Sequence, residues 1–186
     1  MRLFTAIAVE GFPLEALKGF LAFAQGLNLP IKWVQPENLH LTLVFLGETR
    51  EDQLTNLKAA LKMGTHGIRP FELEVGGLEA FPSLKTPKTL FANVLKGRDK
   101  VEGLFEIMKG PLMNAGFKME DRKFHPHVTL GKFREEPLPP EGWERLKNAS
   151  LKSMGCFSVE QVRLMQSRLT PRGSIYKVVE AYPLGV

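Results

Sequence analysis

The chain has 186 residues, 44% of them hydrophobic and 24% charged, which is the balance of a folded globular protein and excludes a disordered one. Twenty-five Lys and Arg against 20 Asp and Glu leave a formal net charge of +5, which favours anionic partners such as nucleotides or RNA. The one cysteine, Cys156, excludes an internal disulfide framework, and no apolar run reaches the roughly 18 to 20 residues of a membrane-spanning helix. Met1–Val9 meets Glu10 too early for a secretory leader, so a cytoplasmic protein without a membrane partner is expected.

In chain order, Leu3–Val9 reads as a strand and Phe12–Gln25 as a helix with apolar residues at Leu14, Leu17, Leu21 and Ala24. Ile31–Val34 is extended and leads through Pro36 into a second strand, Leu39–Leu46. Thr49 with Asp52 reads as a capping pair for a helix carrying Leu54, Leu57 and Leu61, which Gly64 ends. Phe71–Val75 alternates strictly, as a half-buried antiparallel strand does. Leu90–Leu95 is a further strand, followed by a helix with Val101, Leu104, Phe105 and Met108. Pro111 marks a kink or restart in that helix and Gly116 its close. His127–Phe133, Phe157–Met165 and Ile175–Ala181 supply more strands, and Pro137-Leu138-Pro139-Pro140 reads as a surface loop.

These elements repeat. Leu3 and Leu90 open strands 87 residues apart, His40 and His127 share that offset, and Phe71 and Phe157 follow at 86. Each unit runs strand, helix, His-bearing strand, Phe-bearing strand. The expected fold is α+β and bilobal, a pseudo-two-fold duplication in which two antiparallel sheets line a central cleft with helices on the outer faces. Residues 1–186 then form a single two-lobed domain whose site lies between the lobes.

The repeat sets His40-Leu41-Thr42-Leu43 against His127-Val128-Thr129-Leu130. Strand residues two apart share a face, so each motif presents an imidazole beside a hydroxyl while its apolar residues turn to a core. Two imidazoles in one cleft suit a phosphodiester: a neutral one deprotonates the nucleophile and a protonated one supplies the leaving oxygen. The threonine hydroxyls can donate to the nonbridging oxygens. A zinc site would also use histidines, but no Asp, Glu or Cys shares their presumed faces and threonine is a poor ligand, so no metal is expected. His125 lacks a threonine two residues on and flanks the site, and His66 reads as an exposed turn residue.

The paired His-x-Thr-x motifs resemble those of the two-histidine phosphoesterases. The wider sequence is similar to the branch called RNA 2′,3′-cyclic phosphodiesterase or 2′-5′ RNA ligase. That likeness runs through Met1-Arg2-Leu3-Phe4, Trp33-Val34, Pro36–Leu43, Phe45–Glu48, Phe71-Glu72-Leu73, Ala80-Phe81-Pro82, Phe124, Pro126–Leu130, Ser167, Gly173 and Tyr176. The resemblance implies a cofactor-free, metal-independent opening of terminal 2′,3′-cyclic phosphates to 2′-phosphates, with RNA ends, tRNA fragments among them, as substrate. It implies His40 as proton donor, His127 as proton acceptor, and Thr42 and Thr129 as phosphate ligands, in a protein expected to be a monomer. The resemblance also implies that ends can be joined through a 2′-5′ bond at the same histidines. Lys132 stands where the family commonly has Arg, giving a point charge in place of a bidentate fork. Simple alternation turns it away from His127 unless Gly131 permits a bulge.

Other positive charge gathers at Lys118, Arg122, Lys123, Lys132 and Arg134, and at Arg163, Arg168, Arg172 and Lys177, the makings of a single-stranded RNA groove. Phe45, Phe133 and Tyr176 are candidates for stacking a base. Two other functions remain open from the residues: a cyclic phosphodiesterase for a small nucleotide such as ADP-ribose cyclic phosphate, and an RNA-binding module whose histidines only hold phosphate.

Overall fold

The computed structural model describes residues 1–120, 123–134, 138, 140–149, 152–170 and 173–185. The chain runs β1 (Arg2–Ala8), α1 (Gly11–Gln25), β2 (Ile31–Trp33), β3 (His40–Glu48), α2 (Leu54–Thr65), β4 (Phe71–Phe81) and β5 (Thr89–Lys96). It continues through α3 (Arg98–Asn114), β6 (His127–Phe133), α4 (Pro140–Ala149), β7 (Cys156–Val159), β8 (Gln161–Thr170) and β9 (Gly173–Pro183). Of the residues singled out above, Arg122, Arg172, Pro137 and Pro139 lie outside the described ones. No helix among the described residues is long and apolar enough to cross a membrane.

The α+β duplication takes the form of one antiparallel sheet. Its strands run β7-β4-β5-β6-β3-β1-β8-β9, with β2 added to β6. The two halves expected as separate sheets meet where β6 touches β3, at the single pair Leu41 opposite Val128. Those residues are each other's counterparts in the repeat, so the pseudo-two-fold axis passes between them. The same symmetry recurs at the far edge, where Phe71 pairs with Val159 and Leu73 with Phe157. The repeats also exchange strands. β4, from the first repeat, pairs with β5 of the second, and β8, from the second, pairs with β1 of the first.

Alternation decides which face is covered. Leu3, Ile7, Leu41, Leu73, Val128, Leu130 and Leu164 share one core with Leu17 and Leu21 of α1, Leu57 and Leu61 of α2, Val101, Leu104 and Met108 of α3, and Leu146 of α4. Burying Leu41 and Val128 completely contributes about 1.5–3 kcal/mol each where the halves join. The alternate residues of the central strands, the histidines and threonines among them, are left on the opposite face.

Several local expectations shift. Gly64 lies inside α2, because a Cβ there would stand 3.1 Å from the Met108 Cα; it permits close approach to α3. The cap expected from Thr49 and Asp52 moves by one residue: a 3₁₀ turn at Glu51–Gln53 precedes α2, and the Gln53 amide oxygen accepts from the Arg50 N–H at 3.0 Å. Helix α3 passes through Pro111 unbroken and ends at Gly116 (φ 88°) in a Schellman motif, Phe117 N–H donating to Leu112 O and Gly116 N–H to Met113 O.

Candidate active site

Each histidine motif is followed by the same irregularity. Along β1 and β3, Ala8 faces His40, Ile7 faces Leu41, Ala6 faces Thr42, and the register then slips so that Thr5 faces Val44 and Phe4 faces Phe45. Along β5 and β6, Asn93 faces His127, Ala92 faces Val128, Phe91 faces Thr129, and after an equal slip Leu90 faces Gly131 and Thr89 faces Lys132. The bulged residues are Leu43 and Leu130, in equivalent places. Thr5 therefore corresponds to Leu90, 85 residues on, where the sequence alignment had set Leu3 against Leu90; the connections after the opening strands absorb the two-residue difference. In the first half, the Val44 N–H freed by the bulge donates to the buried Thr5 hydroxyl at 3.1 Å.

The bulge reverses the alternation, so Phe45 and Lys132 fall on the face of the histidines. Lys132 thus sits beyond Thr129 on His127's side of the sheet. The slip that places it there lies at Leu130, one residue before the glycine expected to permit it. A Cβ at Gly131 would lie 2.5 Å from Ile31, so that glycine serves the close approach of β2.

Both imidazoles are held alike. The His40 Nδ1–H donates to the Asn38 carbonyl at 2.6 Å and the His127 Nδ1–H to the His125 carbonyl at 2.7 Å. A carbonyl only accepts, so Nδ1 keeps its proton and Nε2 is the atom that gains or loses one. Carrying the register one residue either side of Leu41 and Val128 sets His40 across from Thr129 and Thr42 across from His127. The four sequence-predicted side chains thereby form one cluster around the axis. His40 Nε2 lies 3.0 Å from Thr42 Oγ1. Each ring is fixed by aromatic neighbours: Phe4 and Tyr176 lie 5.1 and 5.2 Å from His40, and Phe91 and Phe81 lie 5.1 and 5.4 Å from His127, centroid to centroid.

Burial pushes both histidines below the ordinary imidazole pKa. The carbonyl bond of each pulls the other way, and positive charge at His127 lowers His40 further while Arg98 lowers His127. His125 is lowered too, by burial, Arg98 and His127. Its Nε2 is buried without a hydrogen-bond partner among the described residues and its ring packs on Phe81, so its contribution to His127 is the backbone carbonyl. His66 is exposed. Among the described residues no group of three or more His, Cys, Asp or Glu is placed to hold a metal ion.

Of the aromatic candidates, Phe45 is exposed on the site face, Tyr176 braces His40, and Phe133 packs 5.9 Å from Trp143 on the helix side, away from any base. Arg163 lies across from Ala6 and is bound to Glu10, while Lys177 and Arg168 are exposed. Three neighbours escaped the sequence reading. Arg98 opens α3 and approaches Asn93, which flanks His127, at 3.5 Å; Phe4 abuts His40; Lys32 of β2 faces Lys132 directly. For Phe4 and Lys32 the signal is a pairing between distant segments, and for Arg98 it is the pairing of Asn93 with His127 across β5 and β6.

The family description LigT-like phosphoesterase matches the chain twice in succession, over residues 13–91 and 96–176. The chain is 34% identical to an RNA 2′,3′-cyclic phosphodiesterase of Archaeoglobus fulgidus over 182 residues, 98% of this chain and 99% of that one. It is 30% identical to the RNA 2′,3′-cyclic phosphodiesterase of Thermotoga maritima, over 96% and 93% of the two chains. In fold it is similar to TT0787 of Thermus thermophilus, with a TM-score of 0.82 and 27% identity over 99% and 98% of the chains. E. coli LigT complexed with 3′-AMP shares the fold at a TM-score of 0.73 and 21% identity, over 100% and 98%.

Proposed function

Because the chain belongs to the LigT-like phosphoesterase family, we propose that it opens terminal RNA 2′,3′-cyclic phosphates by two-histidine acid–base catalysis without a metal. The observation that carries the reading is the pair of imidazoles around one axis, each with Nδ1 tied to a carbonyl and Nε2 left for proton transfer. His127 Nε2 takes a proton from water as its oxygen bonds to phosphorus. The P–O3′ bond breaks, and His40 Nε2–H protonates the departing 3′-oxygen, leaving a 2′-phosphate. Exchange with solvent restores both protonation states. Thr42 and Thr129 donate to the nonbridging oxygens, and Lys132 supplies positive charge from the same face. When His40 is protonated, its Nε2–H can donate to Thr42 Oγ1, which frees the threonine hydroxyl to point at phosphate.

The two halves share one sheet and one site, which supports reading residues 1–186 as a single two-lobed domain. Ligation through a 2′-5′ bond would put the 5′-hydroxyl of a second strand in the place of water: His127 Nε2 takes its proton as the 5′-oxygen bonds to phosphorus, the P–O3′ bond breaks, and His40 Nε2–H protonates the departing 3′-oxygen. The test is phosphorus NMR of the product from a cyclic-phosphate-ended RNA with EDTA present. A lone 2′-phosphate is expected. A 3′-phosphate, a mixture of isomers, or activity that vanishes with chelator defeats the proposal.

A further inference from the structure

A groove of about 1110 Å³ lies beside the histidines, between β2 and the start of β9. Its wall includes Asn38, whose carbonyl holds His40, Tyr176, whose ring braces His40, and Lys132. It therefore continues the site outward from the His40–Thr129 side of the axis. The volume exceeds the roughly 300–1,000 Å³ that encloses a single small ligand.

Positive charge dominates this groove. Lys32 is directly opposite Lys132 in the β2–β6 pair, an arrangement in which like charges oppose strand pairing. Arg134 follows on the same face, and Glu37 is the one carboxylate in the described lining. Among the described residues none of the three cations forms an ion pair. A polyanion laid over the two lysines would relieve the repulsion that the backbone pairing imposes. Ile175, an exposed apolar side chain on the opposite wall, offers a surface for a base.

From this juxtaposition we propose that the groove between β2 and β9 holds the RNA chain on the 5′ side of the reacting nucleotide, making oligonucleotides better substrates than cyclic mononucleotides. The inference rests on the reading of the histidines given above. In that reading the departing 3′-oxygen faces His40. Its ribose, and every nucleotide 5′ to it, then lies on the side where the groove opens. Lys32 and Arg134 would meet backbone phosphates 5′ to the cyclic phosphate, beyond the Lys132 charge that faces the reacting group.

The experiment compares a cyclic-phosphate-ended pentanucleotide with a cyclic mononucleotide, using the wild type, Lys32→Ala and Arg134→Ala. The wild type should favour the pentanucleotide in kcat/KM. Each substitution should reduce that preference, by roughly tenfold for Lys32→Ala, with the loss in KM. The magnitude of the salt slope for the pentanucleotide should drop by about 0.7 for each phosphate contact removed. Equal kcat/KM for both substrates in the wild type, or the same fractional loss on both in the variants, overturns the groove. If neither substrate turns over, the reading of the histidines fails, and the groove is judged by fluorescence anisotropy of a labelled single-stranded RNA pentamer. Binding weakened in Lys32→Ala then upholds it, and binding unchanged, or a preference for an acidic peptide, overturns it.

Discussion

At His40 the imidazole stands between Phe4 and Tyr176, with Thr42 on its Nε2 and a cationic groove beyond. At His127 it stands between Phe81 and Phe91, with Asn93 alongside and the Arg98 guanidinium within electrostatic range. The backbones of the two motifs are equivalent down to the bulged residue, and the aromatic braces come from unrelated positions. Duplication thus supplied a symmetric pair of His-x-Thr strands, and their surroundings made the pair unequal. A reaction that needs one neutral and one protonated imidazole requires that inequality.

Removing either imidazole should have the largest effect. His40→Ala and His127→Ala should each reduce turnover by about 10² to 10⁴. Both variants should retain the wild-type circular dichroism spectrum, since the rings line an open face and leave the core intact. His125→Ala should lose much less, because the carbonyl that holds His127 survives the substitution, and His66→Ala should match the wild type. Full activity in either of the first two, or a dead His125→Ala, would break the equivalence of the motifs.

The threonines come next. Thr42→Val and Thr129→Val, near in volume, should each cost roughly 2–4 kcal/mol in transition-state stabilisation, read as kcat/KM. The comparison sharpens here, since Thr42 also bonds His40 Nε2 and, among the described residues, no such bond joins Thr129 to His127. Thr42→Val should therefore move one limb of the pH–rate profile as well as its height, whereas Thr129→Val should lower the height alone. Equal, purely vertical losses would mean that the bond from Thr42 to His40 has no part in turnover.

How much of this was legible in the residues follows from what each signal required. The strands around His40 and His127 announce themselves because one face is apolar and the other polar at a period of two. Helix α4 went unread because its apolar content is thin: Gly142 and Leu146 are its buried residues. The bulges left no trace in the sequence, as Leu43 and Leu130 are ordinary strand residues, and so alternation mispointed Lys132. The exchange of β4 and β8 between halves, the brace of Tyr176 on a histidine 136 residues away, and the Lys32–Lys132 opposition exist only once the sheet is paired. The His-x-Thr motifs were local; what distinguishes the two is long-range.

The smallest expected effect is the most telling, because it assigns the acid and the base separately. Burial holds both imidazoles below the ordinary histidine value, so the bell-shaped profile should lie on the acid side of the range typical for histidine pairs. In the proposed roles, His127 must be neutral to accept a proton, so activity should fall as pH drops through its titration, on the acidic limb. In the same roles His40 must be protonated to donate, so activity should fall as pH rises through its titration, on the alkaline limb. Positive charge at Arg98 lowers His127, and Arg98→Gln removes it. His127 then holds its proton to higher pH, and the acidic limb moves upward while the alkaline limb stays close to its wild-type position. Tyr176→Leu uncovers His40, weakening the burial that lowers it, so the alkaline limb should move upward instead. The two variants thus act on opposite sides of the bell. If Arg98→Gln moves the alkaline limb and Tyr176→Leu the acidic one, the roles of the two histidines are reversed, and the ribose must sit on the side of His127.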